Sequence, residues 1–188
     1  RTGTVDLSHF KLERVIGQGG FGKVQASIKL TGEDAEKWYA IKALSKAFIL
    51  STSSGKDSVF TELRALTELS YPFICNSHYA FQDEFHLYLV LDLALGGDLR
   101  FNLRHSPNTR FSENRARFYT AQIILALNFI HQHNYLHRDV KPDNMLLLST
   151  GYIKLTDMGV SKKLENINKC YSASGTHAYM APEIYMRG

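Results

Sequence analysis

The feature that most limits how this chain can fold is the order of elements around residues 17–22. Residues 10–16 read as a strand that runs into Gly17-Gln18-Gly19-Gly20-Phe21-Gly22. Beyond the glycines, Val24, Ala26, Ile28 and Leu30 alternate with Lys23, Gln25, Ser27 and Lys29, a period of two that marks a strand with one buried face. A Gly-x-Gly-x-x-Gly run that binds a dinucleotide opens a helix, because the pyrophosphate sits on the helix N-terminus. No helix follows here, so the run is read as the turn of a β-hairpin. On its own a plain hairpin turn would look the same.

Residues 38–44 form a third strand pattern, with Lys42 inside the short apolar run Tyr39-Ala40-Ile41. Residues 51–57 read as a polar loop. Val59, Leu63, Leu66 and Leu69 then recur at helical spacing and predict a helix over 57–69. Glu62 lies on the flank of that stripe, where a carboxylate faces partial burial. Buried charge is costly unless paired, which makes Lys42 its candidate partner; a Glu at the water line is the plain alternative. Residues 85–93 are a strongly apolar strand, and Gly96-Gly97 beyond it separates strand-rich from helix-rich sequence, as a hinge between two lobes would. Ser112 caps a predicted helix to about His133, with Ala116, Tyr119, Ile123, Ala126, Leu127 and Ile130 on one face. Short apolar strands follow at 145–148 and 152–155. Residues 157–183 carry no periodicity, and a loop of that length is usually functional.

Composition narrows the class. With 188 residues, 44% hydrophobic and 12% aromatic, the chain is an ordered globular domain. The 22 Lys and Arg exceed the 18 Asp and Glu only mildly, and no basic run or aromatic stacking module accompanies them, so nucleic acid is not an expected partner. No apolar stretch is long enough to cross a bilayer, and the first apolar residues are scattered among Thr4, Asp6, Ser8 and His9, unlike a signal peptide. Two cysteines, Cys75 and Cys170, make no disulfide framework and point to a reducing compartment, the cytoplasm. The eight histidines form no metal-binding pattern.

Specificity arrives between the long helix and the next strand, at His137-Arg138-Asp139-Val140-Lys141-Pro142-Asp143-Asn144. Thr156-Asp157-Met158-Gly159, Gly175-Thr176 and Ala181-Pro182-Glu183 follow in that order. With the glycine hairpin and Lys42, this series resembles the protein-kinase signature set from Phe10 to the end of the chain. The resemblance implies a two-lobed α+β fold: an antiparallel sheet with one helix at 10–91, a hinge at 92–97, and the first part of a mainly helical lobe at 98–188. A domain of this family is expected to continue beyond residue 188, and the isolated piece to expose apolar surface and be inactive.

The same resemblance implies roles. Ile16, Gly17, Gln18, Gly19, Gly20, Phe21, Gly22 and Lys23 would close over the phosphates of ATP, and Val24, Ala40 and Leu146 would pack on the adenine. Lys42 would hold the α- and β-phosphates with Glu62 as its pair. Leu91 resembles the gatekeeper, Asp92 to Ala94 the backbone that reads the adenine edge, and Asp98 a contact to the ribose or to a basic substrate residue. Asp139 resembles the catalytic base, Lys141 the cation on the transferring phosphate, and Asn144 and Asp157 the magnesium ligands, a pair of types that suits Mg2+. Thr176 resembles the residue that steadies the catalytic loop. Ser172 lies at the position of an activating phosphate that Arg138 would bind, placed there by an upstream kinase.

Lys141 and Thr176 point to the serine/threonine type. Tyr71-Pro72-Phe73-Ile74, Gly96-Gly97-Asp98-Leu99 and Phe111-Ser112-Glu113 resemble the AGC kinases, and Gly175-Thr176-His177-Ala178-Tyr179-Met180 their receptor-kinase or YANK branches. The implied activity is transfer of the γ-phosphate of Mg-ATP to a protein serine or threonine, with basic residues expected beside the target because Asp98 and Asp143 adjoin the peptide groove. The alternative is a pseudokinase or truncated binding module. Lys42, Asp139 and Asp157, whose loss would mark a pseudokinase, are all present. Recruitment to membranes would need regions outside this chain. Two positions depart from the family: Met158 replaces the usual phenylalanine, and Ser77 falls where a large apolar residue usually completes an internal stack, so Ser77→Leu is expected to raise basal activity.

Overall fold

The computed structural model describes residues 5–19, 22–52, 55–164 and 174–186. Two compact units divide the chain: residues 1–59 with 76–93, and residues 60–75 with 94–188.

The first unit is an antiparallel five-stranded sheet in the order β1-β2-β3-β5-β4, made of β1 (Phe10–Gly19), β2 (Gly22–Lys29), β3 (Trp38–Ser45), β4 (Ser77–Gln82) and β5 (His86–Asp92). Its core is one face of the sheet: Tyr39, Ile41 and Ala43 of β3 pack with Tyr88 and Val90 of β5 and with Phe10 of β1. Side chains two apart share a face of a strand. That rule puts Ala40, Lys42 and Leu44 on the other face. A polar network secures the connection between β2 and β3. Lys29, only 3% exposed, pairs with Asp34 at 3.2 Å and lies 5.0 Å from the centre of the Tyr79 ring. Asp34 also accepts hydrogen bonds from the hydroxyls of Tyr39 (2.6 Å) and Tyr79 (2.7 Å). Burial pushes its carboxyl up, but these donors and Lys29 outweigh that and hold it well below the ordinary range.

Two elements of this unit escape the sequence reading. Residues 46–51, next to and partly within the expected loop, form a short helix, α1 (Lys46–Ser51), whose N-terminus is capped by Ser45. Strand β4 shows only partial burial, alternating half-buried Ser77, Tyr79 and Phe81 with exposed His78, Ala80 and Gln82. A serine on the inner row and an alanine on the outer one blur its period of two. The next helix, α2 (Gly55–Glu68), matches the predicted span closely, and its residues from Phe60 onward belong to the second unit.

In the second unit, α3 (Leu99–Arg104) begins at Asp98, and α4 (Glu113–Gln132) begins at Ser112, whose hydroxyl accepts the Arg115 N–H. A two-stranded ladder follows, β7 (Met145–Leu147) with β8 (Ile153–Leu155), and a second joins β6 (Tyr135–Leu136) to β9 (Lys162–Lys163). A last short helix is α5 (Pro182–Tyr185). The core gathers Ala65, Leu69, Ile74, Ala126, Ile130, Ile153, Leu155 and Met158, where full burial of each large side chain stabilises by about 1.5–3 kcal/mol.

The buried face of α4 differs from the periodicity reading at two places. Ala116 is exposed, and the residue that turns inward beside Tyr119, Ala126 and Ile130 is Gln122, at 3% exposure. Its amide donates to the Phe118 carbonyl and accepts the Ile153 N–H at 2.8 Å, fastening β8 to the helix. A buried amide is tolerated when both its ends are satisfied, as here. Hydropathy spacing alone has no means of finding it.

Candidate functional site

The groups expected to hold a nucleotide are described first for the sheet. The register pairs Gly17 with Val24, Gln18 with Lys23 and Gly19 with Gly22, so the first glycines lie inside the ladder and the turn is confined to Gly20 and Phe21, which fall outside the described residues. The strand therefore runs three residues further than residue 16. Gly22 has a second reason to lack a side chain: a Cβ there would stand 1.8 Å from the carbonyl oxygen of Ala43 on β3. Across the sheet Val24 pairs with Lys42, and Ala40 with both Ala26 and Leu91. Directly opposed residues share a face. Gly17, Val24, Ala40, Lys42 and Leu91 therefore form one surface, on the side of the sheet away from the core of this unit. Ile16 and Lys23 are exposed, while Lys42 is half-buried. Asp92 has its carboxylate engaged by Asn76, through both N–H and side-chain amide, and by His78 at 2.8 Å, which leaves its backbone for any other role.

Within the second unit, the expected hinge glycines are tied down. Gly96 donates to the Leu147 carbonyl at 2.9 Å, Leu147 donates to Gly97 at 2.8 Å, and Asp98 bridges to Leu146. Asp98 accepts the Phe101 N–H at 2.7 Å and caps α3. Glu62, 7% exposed, stands in the part of α2 that belongs to this unit, and Ala94 is half-buried.

The loop between β6 and β7 carries the densest chemistry. His137 is almost fully buried. Its Nδ1 accepts the Asp139 N–H at 3.3 Å, so its Nε2 carries the proton and donates to the Thr156 carbonyl at 3.0 Å. Burial, the largest influence, drives its pKa below the ordinary 6.5 and keeps the ring neutral. Arg138 takes a left-handed backbone, φ 67°, and Asp157 another, φ 65°. Such conformations cost about 1–3 kcal/mol each and persist where surrounding bonds over-determine them. Here the Arg138 guanidinium bonds the carbonyls of Val160 and Ser161, which fixes the chain just after Asp157. Ser172, the expected phosphate site, lies outside the described residues, as do Tyr171 and Cys170.

Asp139 is 8% exposed and accepts hydrogen bonds at both oxygens. Its Oδ1 takes the Thr176 N–H (2.8 Å) and the Thr176 hydroxyl (2.7 Å). Its Oδ2 takes the Lys141 ammonium (2.7 Å) and the Asn144 amide (3.0 Å). A carboxylate offers about four lone-pair sites, so this one is saturated. Burial alone would raise its pKa; the hydrogen bonds from Lys141, Thr176 and Asn144 prevail and lower it, leaving the group ionised. Lys141 also donates to the Thr176 hydroxyl at 2.7 Å, closing a triangle. Of the donors on Asp139, Lys141 alone sits on a long flexible stem. It is the one that can swing away to admit another group.

Asn144, 6% exposed, donates its amide N–H also to the Asp139 carbonyl at 2.8 Å, so its oxygen is turned elsewhere as an acceptor. Asp157 is exposed. Among the described residues no cluster of three or more His, Cys, Asp or Glu could hold a metal unaided. An Asp and an Asn fit Mg2+, which keeps several waters and completes its shell with substrate phosphates.

Three features here carry more weight than the sequence assigned them. Gly175 has φ 122°, and a Cβ on it would lie 2.3 Å from the Arg138 carbonyl oxygen; that close approach brings Thr176 to Asp139. Its signal in sequence is the Gly-Thr pair alone. Arg100 donates to Asp143 at 2.8 Å and to the Tyr179 hydroxyl at 2.9 Å. Asp143 and Asp98 are thus already engaged, contrary to their reading as open contacts for basic residues. Met158 fills its position in the second unit's core at 1% exposure, as an adaptable thioether can in place of a ring. Ser77 is half-buried on β4.

The protein kinase domain family matches residues 10–187. Ribosomal protein S6 kinase alpha-3 of Homo sapiens is 45% identical over 185 residues, covering 97% of this chain and 24% of that protein. Ribosomal protein S6 kinase 2 beta of Xenopus laevis is 44% identical, covering 97% and 28%. A probable serine/threonine-protein kinase of Dictyostelium discoideum is 42% identical, covering 96% and 39%. The chain spans about a quarter of the length of the S6 kinases it matches. With the ordered motifs now placed on a five-stranded sheet and a helical unit, the chain belongs to the protein kinase domain family, of serine/threonine type and AGC-like.

Proposed function

We propose that the protein carrying this chain transfers the γ-phosphate of ATP to serine or threonine hydroxyls of other proteins. The observation that carries the reading is the ionised Asp139 carboxylate, held by Thr176 and Asn144 and covered by the mobile cation of Lys141. Lys141 moves from Asp139 toward the transferring phosphate and opens a lone pair for the incoming hydroxyl. The hydroxyl oxygen attacks the γ-phosphorus, the bond from phosphorus to the β–γ bridging oxygen breaks, ADP leaves, and the hydroxyl proton passes to Asp139. A carboxylate with so low a pKa is a weak base, so its larger contribution is orientation of the nucleophile.

Lys42 supplies a cation to the α- and β-phosphates, and buried Glu62 a carboxylate to the same machinery. The surface of Gly17, Val24, Ala40 and Leu91 supports adenine packing, with Leu146 from the second unit. Asn144 and Asp157 would hold Mg2+, which when bound neutralises charge on the phosphate oxygens. No helix among the described residues is long and apolar enough to cross a membrane, and the buried free thiol of Cys75 supports a cytoplasmic setting.

The test is γ-phosphate transfer to a serine-containing peptide by the full-length protein, with Asp139→Asn and Lys42→Met as controls. Transfer abolished in both variants supports the reading. Equal transfer by the wild type and Asp139→Asn refutes it.

A further inference from the structure

We propose that Arg100 is a specificity-determining residue: it occupies the Asp143 carboxylate that a basic side chain beside the acceptor hydroxyl would otherwise use, and so turns substrate choice away from basic sequences. This inference rests on the kinase reading above and names the substrate class for the same site.

The placement is set by two segments that converge on Asp139. Asp143 lies on the same loop as Asp139, between Lys141 and Asn144 in sequence. Tyr179 follows Thr176 through one short turn, His177–Tyr179, and Thr176 is bonded directly to Asp139. Arg100 joins the two: its Nε donates to Asp143 and its Nη2 to the Tyr179 hydroxyl. The guanidinium therefore sits beside the position an acceptor hydroxyl takes. Arg100 and Asp143 are each 37% exposed at the side chain, open enough for a bound peptide to meet them.

Charge decides the consequence. Asp143 with Arg100 is neutral as a pair, and Asp98, the other acidic group expected to draw a basic residue, spends Oδ1 on the Phe101 N–H. An arginine or lysine in the substrate would have to displace a charge-assisted hydrogen bond and lie against a like charge. Specificity of this kind works by repulsion of the wrong partner as much as by attraction of the right one. A neutral or acidic flanking residue meets no such obstacle, and an acidic one gains the guanidinium as a partner. The substrate class is accordingly a serine or threonine flanked by acidic or uncharged residues.

The experiment measures kcat/KM of the full-length protein on serine peptides in which Arg, Ala or Glu is placed at one flanking position at a time. Wild type, Arg100→Met and Asp143→Asn form a charge series. Expected is an Arg:Glu preference at or below one in the wild type, raised roughly tenfold at one side of the acceptor in Arg100→Met and lowered in Asp143→Asn. Asp143→Asn keeps the test intact if Arg100→Met does not fold. A wild type that favours Arg, or a preference unchanged in the variants while transfer continues, overturns this inference alone. No transfer to any peptide by any of the three proteins overturns the kinase reading and this inference with it.

Discussion

The hydroxyl of Thr176 donates to Asp139 at 2.7 Å while accepting from Lys141 at the same distance, so one side chain orients both charged groups of the loop. Thr176→Val keeps the shape and the backbone N–H but removes both bonds. A hydrogen bond to a charged group is worth about 1.5–3 kcal/mol, so kcat should fall roughly ten- to a hundredfold. Steady-state kinetics should show KM for ATP little changed, because the hydroxyl touches the acceptor side of the site. A normal kcat would deny Thr176 its positioning role.

Gly175→Ala tests the approach of that segment to the loop. The new methyl would meet the Arg138 carbonyl oxygen at 2.3 Å with φ at 122°, and neither backbone can yield cheaply. A loss of at least about 1 kcal/mol of stability is expected, with activity reduced more than thermal stability because Thr176 is displaced from Asp139. Thermal melts and peptide phosphorylation on the same preparation would read both.

His137 predicts a pH dependence of stability. Its folded pKa lies below the ordinary 6.5, so in mildly acidic solution the unfolded chain takes up a proton that the native ring refuses. Its contribution is intact above pH 6.5 and is lost as the pH falls through that value toward the folded pKa. The slope reaches up to about 1.4 kcal/mol per pH unit for one proton. Denaturant midpoints between pH 7.5 and about 5.5 should show this slope, and His137→Gln should flatten it.

Gln122 is a structural test outside the site. Gln122→Leu fills the same space with apolar atoms but strands the buried N–H of Ile153, at a cost of about 1–3 kcal/mol. Urea unfolding would measure the loss. An unchanged midpoint would mean that β8 finds another acceptor.

Much of this protein was legible as a linear pattern. The period of two at Val24 to Ile28, the helical stripe from Val59 to Leu69, and the spacing of Asp139, Lys141, Asn144 and Asp157 are local, since strand, helix and loop each leave their own repeat in sequence. Strand β4 and the inward turn of Gln122 were not, because mixed burial and a satisfied polar group erase the hydropathy signal. The chain by itself determined which groups could act: a lysine on a strand, an aspartate in a loop, an Asp and an Asn for a metal. Only the tertiary structure decided their state. Saturation of Asp139 by Thr176, far along the chain, and neutralisation of Asp143 by Arg100 from another helix are contacts between segments remote in sequence. Such contacts depend on backbone approach, at Gly175 above all, and no periodicity in the sequence records them.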